Sequence, residues 1–313
     1  MGLEEIWKGT VESSADQNRF KYHQIVRGPD FSDKANVALI GFCCDEGVRR
    51  NNGRPGAAKA PDAIRAALAP MPWHGNEATL CDYGNVSCGD SRLEDAQDEL
   101  AAKVSEAYGQ GSRAVILGGG HETLYGHYLG LRLHLGSEAS IGILNIDAHF
   151  DLRPHDGESS SGTMFRQILE EDQNAGYFVL GIQRFGNSLS LFETAQDFDV
   201  DYMPEETVRQ SDPAQLSRRI QSFIGQYDAV IVTLCMDVLD MASAPGVSAP
   251  SPFGLDPVSV RSIIRAACSH PAVRSFDISE VNPDVDEGGR TVRLGAALTN
   301  EAILSFLGKA PEI

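Results

Sequence analysis

The sequence predicts an α/β fold built on a parallel sheet, and three observations support this prediction. Short, almost continuously apolar runs alternate with amphipathic stretches along the 313 residues. The apolar runs are rich in β-branched residues, which is typical of strands covered on both faces. Alternation of such strands with helical patterns favours parallel pairing. Periodicity alone leaves open whether the sheet is doubly wound and open or an eight-stranded closed barrel.

Eight segments have the pattern of buried strands. They are residues 36–42, 78–83, 113–117, 141–146, 177–182, 198–203, 228–235 and 272–278. Helical patterns lie between them, for example at 91–109, 212–226 and 256–269. The last begins at Asp256-Pro257, a capping residue followed by proline at the first helical position. No linker or internal repeat interrupts the alternation, so we expect a single domain over residues 1–313.

The composition and charge argue against a nucleic-acid-binding protein and against a membrane protein. The formal net charge is −18 and no basic stripe is present, so a nucleic-acid partner is not expected. No apolar run approaches the roughly 20 residues that span a bilayer. The first residues are polar and acidic, unlike a signal peptide, and the six cysteines form no CxxC pair. We therefore expect a soluble, cytoplasmic protein without a disulfide scaffold or structural zinc.

The segment after the fourth predicted strand contains alternating acidic and imidazole side chains. Asp147, His149 and Asp151 follow strand 141–146 at positions i, i+2 and i+4. Such side chains point the same way in an extended segment, so we expect two carboxylates and one imidazole to converge where the strand ends. The alternative is a polar strand exit in which Asp151 only caps the next turn.

Three other strands end in similar residues. A triple glycine places His121 after strand 113–117, and the glycines allow a tight turn there. Cys235 and Asp237 share one side of the chain after strand 228–235, and Glu280 follows strand 272–278. Each of these residues alone could be a helix cap or a solvated turn residue.

Together these residues predict a metal site. The carboxyl ends of parallel strands lie at one edge of a sheet, where three carboxylates and two imidazoles would repel or stay protonated without a cation. Carboxylate and imidazole ligands suit Mn²⁺, although Fe, Co, Ni and Zn remain compatible with these ligand types. Bridging carboxylates allow five or six side chains to hold two ions, which would activate a water molecule for hydrolysis.

The same segments resemble the arginase–agmatinase (ureohydrolase) family, and more closely its formimidoylglutamase branch. The resemblance covers about residues 36–308 and rests on GVRRNNGRPGAAKAPDAIR, GGGHE, DAHFDLR, SSGTMF, CMDVLD, APGVSAP and EVNPDVD. It implies a three-layer α/β/α arginase-like fold with an open, mostly parallel eight-stranded sheet. Family members with GGDHS differ from this chain at Gly120 and Glu122.

The resemblance also implies a set of metal ligands and a reaction. The first of two Mn²⁺ ions per subunit would be held by His121, Asp147 and Asp151, and the second by His149, Asp147 and Asp237. The family's bridging aspartate is Cys235 here, and a thiolate ligand would shift metal preference away from Mn²⁺. The implied reaction is hydrolysis of N-formimidoyl-L-glutamate to L-glutamate and formamide in histidine degradation.

Further roles follow for residues around the metals. Asp151 is the candidate proton shuttle, and Glu280 would pair with the cationic amidine. Arg153 suits a bidentate grip on a substrate carboxylate, with a surface salt bridge as the alternative role. Ser161 or Thr163 could donate hydrogen bonds to the substrate.

Two other functions remain compatible with the sequence. One is hydrolysis of a guanidino compound such as guanidinobutyrate, agmatine or arginine. The other is a degenerate, non-catalytic binding member of the family that has lost its bridging aspartate. A homo-oligomer is also compatible with the sequence, and Cys235 could either ligate metal or form a disulfide with Cys43 or Cys44.

Overall fold

A computed structural model describes residues 2–29, 31, 34–155 and 157–309. Within these residues nine strands form one open sheet in which every pair of neighbours is parallel, in the order β1-β3-β2-β4-β9-β8-β5-β6-β7. The strands are β1 Val26–Arg27, β2 Val37–Cys43, β3 Leu80–Ser87, β4 Arg113–Leu117, β5 Ile141–Ile146, β6 Ala175–Ile182, β7 Asp201–Pro204, β8 Ala229–Cys235 and β9 Val273–Ser279. This order shows that the sheet is open and not closed into a barrel, two alternatives that periodicity alone could not separate.

Helices connect the strands. They are α1 Leu3–Ile6, α2 Tyr22–Ile25, α3 Glu46–Arg50, α4 Ala60–Leu68, α5 Leu93–Gly109, α6 Thr123–Leu135, α7 Met164–Glu171, α8 Leu189–Asp197, α9 Glu205–Gln210, α10 Pro213–Ile224, α11 Pro257–Cys268 and α12 Arg290–Phe306. The predicted start at Asp256-Pro257 is confirmed, because the Asp256 side chain accepts hydrogen bonds from the backbone N–H groups of Val258 and Ser259. None of the described helices is long and apolar enough to cross a bilayer.

Both faces of the sheet are covered, which produces three layers. Alternate residues of each strand enter opposite cores, so Val37 and Leu39 of β2 pack on one face while Ala38 and Ile40 pack on the other. The first core also takes apolar residues from α4, α9, α10, α11 and α12, and the second from α5, α6, α7 and α8. Burial on both faces explains why the strand sequences are continuously apolar.

The structure corrects the prediction of eight strands. The additional strand, β1, has only two residues and pairs with Leu80 and Cys81 at the start of β3, so it leaves no periodic pattern in the sequence. The strand predicted at 198–203 begins later, at Asp201, because Phe198 is still the C-cap of α8. The glycine- and proline-rich segment 45–62 contains α3 and the start of α4 in addition to a loop.

Four adjacent strands at the centre of the sheet determine where the polar residues meet. The chain passes from β4 to β5, but β8 and β9 are inserted between these two strands. Ligand sites of open α/β sheets lie at the carboxyl edge near such changes of strand order. The segments that begin at Gly118, Asp147, Met236 and Glu280 leave β4, β5, β8 and β9 at this edge.

Candidate metal centre

Asp147 lies at the centre of the cluster at the carboxyl edge. Its Oδ2 lies 3.0 Å from Nδ1 of His121, and its Oδ1 lies 3.7 Å from Nδ1 of His149. The carboxylate also accepts hydrogen bonds from the His149 backbone N–H at 2.8 Å and from Asn145 Nδ2 at 3.1 Å. Asp147 is fully buried. These four contacts fix one carboxylate between two imidazoles.

The segment 147–151 is not a simple continuation of β5. The strand ends at Ile146, and Asp151 has a left-handed backbone with φ of 50°. The side chains converge as expected, but a turn brings Asp151 Oδ2 to 3.1 Å from Nδ1 of His121. Glu280 is also left-handed, with φ of 67°. Left-handed conformations are unfavourable for residues with a side chain and are concentrated at functional sites.

The triple glycine allows the chain that carries His121 to approach its neighbours closely. A Cβ atom on Gly119 would lie 1.9 Å from the carbonyl oxygen of Cys44, which leaves room only for glycine. The His121 backbone N–H then donates to Glu280 Oε1 at 3.0 Å, and its Nε2 lies 3.0 Å from Thr233 Oγ1. His121 is therefore fixed at its backbone and at both ring nitrogens.

Glu122, the next residue, is completely buried beneath helix α3. Its Oε1 accepts a hydrogen bond of 2.8 Å from the backbone N–H of Gly47. A Cβ atom on Gly120 would lie 2.1 Å from Glu122 Oε2, and one on Gly47 would lie 2.6 Å from its carboxyl carbon. Two glycines therefore make the space that this carboxyl group fills.

Two groups of side chains could each hold a divalent ion. In each group the ligand atoms lie within 4.8 Å of one another: His121, Asp147 and Cys235 form the first, and Asp147, His149 and Asp237 form the second. Asp147 belongs to both. Oδ1 of Asp237 is buried without a hydrogen-bond partner among the described residues, whereas its Oδ2 lies 3.2 Å from His149 Nδ1. A buried carboxylate oxygen without a partner fits a cation ligand.

The pKa values of the site groups show how strongly the site favours positive charge. Burial alone would lower the pKa values of His121 and His149, but neighbouring aspartates outweigh it and raise both well above the usual range. Burial would raise the pKa of Asp147, but the two histidines hold it well below its usual range. Burial, with Asp147 nearby, raises the pKa of Asp151 to about 6. Protons thus supply the positive charge that a metal ion could supply instead.

Cys235 is buried at the end of β8 in the first group. Burial, followed by the charges of Asp147 and Asp237, raises the pKa of its thiol well above the usual range. The protein groups therefore favour the protonated thiol, and a thiolate ligand at Cys235 would have to be stabilised by bound cations.

A disulfide between Cys235 and Cys43 requires chain movement. All six cysteines are free in the structure. Cys43 ends β2 and Cys235 ends β8, with β4 and β9 between them. At roughly 4.8 Å per strand the two ends are about 14 Å apart, whereas a disulfide needs Cα atoms within roughly 7 Å.

The metal-binding groups face a cavity of about 100 Å³ that is also lined by Arg153, Ser161 and Glu280. Nη1 of Arg153 donates a hydrogen bond of 2.7 Å to Oδ1 of Asn51. The amide nitrogen of Asn51 donates to Ser161 Oγ at 3.3 Å. No carboxylate of the described residues forms an ion pair with Arg153. Asn51, which sequence reasoning missed, therefore connects two predicted substrate-binding residues.

Thr163 lies away from the cavity. Its hydroxyl accepts from the backbone N–H of Ser160 at 2.9 Å and lies 3.0 Å from Oε1 of Gln167. These contacts close the turn before α7, so its hydroxyl is engaged within the loop.

Hydrogen bonds connect three loops around the cavity. Asp45 Oδ2 accepts from the backbone N–H of Gly56 at 2.6 Å. The Arg54 side chain donates to the carbonyl oxygens of Val247 at 2.5 Å and Ser248 at 3.0 Å, and Asn282 Nδ2 donates to the Arg54 carbonyl oxygen at 2.9 Å. The segments GVRRNNGRPG, APGVSAP and EVNP thus form one frame around the site.

Comparison with known proteins agrees with this geometry. The Arginase family model matches residues 35–305. A formimidoylglutamase of Lysinibacillus sphaericus (strain C3-41) is 51% identical over 309 residues, 96% of each chain. One of Geobacillus thermodenitrificans (strain NG80-2) is 51% identical over 306 residues, 96% of this chain and 95% of the relative.

Solved structures share the fold. A Trypanosoma cruzi formiminoglutamase with Mn²⁺ is 26% identical, with a TM-score of 0.80 over 90% of this chain and 97% of the other. The formimidoylglutamase of Bacillus subtilis subsp. subtilis str. 168 has a TM-score of 0.84 at 23% identity, covering 96% of each chain, and supports the fold alone. The long match to the family model and the high identity to full-length relatives lead to one conclusion: this chain belongs to the arginase family.

Proposed function

We propose that this chain is a binuclear manganese hydrolase that converts N-formimidoyl-L-glutamate and water to L-glutamate and formamide. The observation that carries the proposal is that two metal-binding groups share Asp147. The other four members of these groups line one cavity together with Arg153 and Glu280. The substrate assignment is supported by relatives of about 50% identity that are formimidoylglutamases over nearly their whole length.

Mn²⁺ fits the ligands of this site. Carboxylates and imidazoles dominate both groups, and Cys235 is the one soft donor among them. His121, Asp147 and Cys235, with Asp151 nearby, would hold one ion, and Asp147, His149 and Asp237 would hold the other. The ions would supply Lewis acidity and lower the pKa of a water molecule from about 15.7 toward 7.

Asp151 is suited to move the proton in this reaction. A carboxylate within hydrogen-bond reach of the reacting groups can take and release a proton during the reaction. Hydrolysis of the amidine requires one proton to leave the attacking water and one to reach the departing glutamate nitrogen. Asp151 lines the cavity beside His121, so a single carboxylate can serve both transfers.

Glu280 is suited to hold the amidine. Its Oε1 accepts a hydrogen bond from the His121 backbone, and the residue lines the cavity. Burial, followed by the charges of Glu122 and Asp237, raises its pKa well above the usual range. A cationic amidinium beside Glu280 would restore the carboxylate and gain a charge-assisted hydrogen bond.

Arg153 is suited to bind a carboxylate of the substrate. It is exposed at the cavity wall, and its described partner is the neutral amide of Asn51, so its positive charge remains available. The Ser161 hydroxyl lies beside the same amide. An ammonium-bearing substrate such as agmatine would be repelled by this cation.

We also propose that the enzyme acts in the cytoplasm, within histidine degradation. Six free thiols, four of them buried, suit a reducing compartment.

A metal and turnover assay tests the proposed function. The Mn²⁺-loaded protein should contain two ions per chain by elemental analysis and release glutamate and formamide from formimidoylglutamate. Parallel assays contain agmatine, guanidinobutyrate and arginine. Asp147→Asn should lose metal and turnover together, because Asp147 is the shared ligand. Urea release with little formamide would instead assign a guanidino substrate, and metal binding without any turnover would indicate a non-catalytic binding protein.

A further inference from the structure

A chain of buried polar side chains runs from the metal centre into the core. His121 Nε2 lies 3.0 Å from Thr233 Oγ1, and Thr233 Oγ1 donates to Asp277 Oδ1 at 2.7 Å. Asp277 Oδ2 lies 2.8 Å from His127 Nδ1, and His127 Nε2 lies 2.6 Å from Ser275 Oγ. Thr233, Asp277, His127 and Ser275 are all fully buried. The proposed reaction uses none of these four residues.

Several secondary-structure elements contribute to this chain. Thr233 and Asp277 are register partners on the adjacent strands β8 and β9, and His127 comes from α6. Burying a carboxylate and two imidazoles is costly unless every polar atom has a partner. Both oxygens of Asp277 and both nitrogens of His127 have partners here.

The acceptors in the chain determine the direction of its hydrogen bonds. An ionised Asp277 can only accept, so the Thr233 hydroxyl must donate to it. The Thr233 oxygen is then left as an acceptor for His121, and the His121 Nε2 must carry the hydrogen. When the ring is neutral, as metal binding requires, the other nitrogen, Nδ1, carries the lone pair and faces Asp147 and Asp151.

From this geometry we infer that Thr233 and Asp277 are positioning residues for the metal centre. They hold His121 in the Nε2–H tautomer, with Nδ1 directed at the metal-binding group. The inference rests on the proposed function, because it requires that His121 binds the first of the two proposed metal ions. Residues that orient a ligating histidine commonly change metal affinity by about 10–100-fold when they are mutated.

Isothermal titration with Mn²⁺ tests this role by a readout that does not depend on turnover. Thr233→Val keeps the branched shape but removes the hydroxyl, and one of the two ions should then bind about 10–100-fold more weakly. Thr233→Ser keeps the hydroxyl and should bind both ions as the wild type does. If the valine variant does not fold, Thr233→Ala provides the same comparison.

Thr299→Val is the matched control. Thr299 is fully buried on α12, and its hydroxyl donates to the Gly295 carbonyl oxygen at 2.8 Å, away from the metal centre. A purely structural effect would lower the melting temperature in both valine variants without changing Mn²⁺ affinity. Wild-type affinity for both ions in Thr233→Val would overturn the inference. A wild-type protein that binds no Mn²⁺ would instead overturn the proposed function.

Discussion

The guanidinium of Arg153 and the side-chain amide of Asn51 are joined by a hydrogen bond of 2.7 Å at the wall of the cavity. The Arg153 backbone N–H also donates to the Gly162 carbonyl oxygen at 2.9 Å, so both ends of the residue are fixed. A fixed guanidinium loses less conformational entropy when it binds a carboxylate. Its orientation therefore bears on substrate affinity.

Arg153→Lys should raise KM for formimidoylglutamate with a smaller loss of kcat. Lysine keeps the charge but loses the planar, bidentate geometry. Losing a charge-assisted hydrogen bond of about 1.5–3 kcal/mol corresponds to an increase in KM of roughly tenfold or more. Steady-state kinetics measure this, and an unchanged KM would assign Arg153 to the protein surface only.

Asn51→Asp should raise KM more than Asn51→Ala. The aspartate would form an ion pair with Arg153 and neutralise the charge that the substrate carboxylate needs, whereas alanine only releases the guanidinium. Asn52→Gly is the matched control, because Asn52 has a φ of 60° that glycine adopts easily. Equal KM values for the aspartate variant and the wild type would contradict a role for Asn51 in positioning Arg153.

Mn²⁺ affinity should rise with pH. Neighbouring carboxylates raise the pKa values of His121 and His149, so protonated imidazoles stabilise the metal-free protein below the ordinary histidine pKa. This stabilisation is lost as the pH rises through the raised folded-state values, and neutral imidazoles can then bind metal.

Differential scanning fluorimetry at pH 6 and pH 8 checks this dependence. The increase in melting temperature on adding Mn²⁺ should be larger at pH 8, and calorimetry in two buffers should detect proton release. A variant of the exposed His74 should show the same pH dependence as the wild type. A larger Mn²⁺ effect at pH 6 would contradict the prediction.

Cys235→Asp should tighten Mn²⁺ binding, because a carboxylate is a harder ligand than a thiolate. The Mn²⁺-loaded wild type should lose activity under mild oxidant and recover with a thiol reductant plus Mn²⁺, since bound cations favour the reactive thiolate. The aspartate variant should resist the oxidant, and the partly exposed Cys88→Ser should behave as the wild type. Equal sensitivity of the wild type and the aspartate variant would refute this role of Cys235.

The clustering of the candidate metal ligands could be predicted from the sequence because these residues follow strands directly. Asp147 comes one residue after β5 and Asp237 two residues after β8, so a correct strand assignment brings both to the same edge. The turn at Asp151 could not be predicted, because its left-handed backbone leaves no periodic signal.

Asn51 and Thr233 were not predicted as site residues, because each contacts a residue that is far away in the sequence. Asn51 contacts Arg153, 102 residues later, and Thr233 contacts His121, 112 residues earlier. Such pairs depend on strand order, which a local pattern does not contain. Polar residues within buried strands were the available signal, since Thr233 interrupts the apolar run of β8 and Asp277 lies between Phe276 and Ile278 in β9.

The space shared by Gly120 and Glu122 restricts the order in which these positions can change. An aspartate at position 120, as in relatives with GGDHS, would place its Cβ atom 2.1 Å from the Glu122 carboxyl. Shortening Glu122 to serine first would remove that clash and leave Val48 Cγ2, 2.5 Å from the same Cβ position, as the remaining close contact, whereas the reverse order passes through an intermediate in which both clash. The two positions are therefore coupled, and a stepwise path between GGGHE and GGDHS passes through GGGHS in either direction.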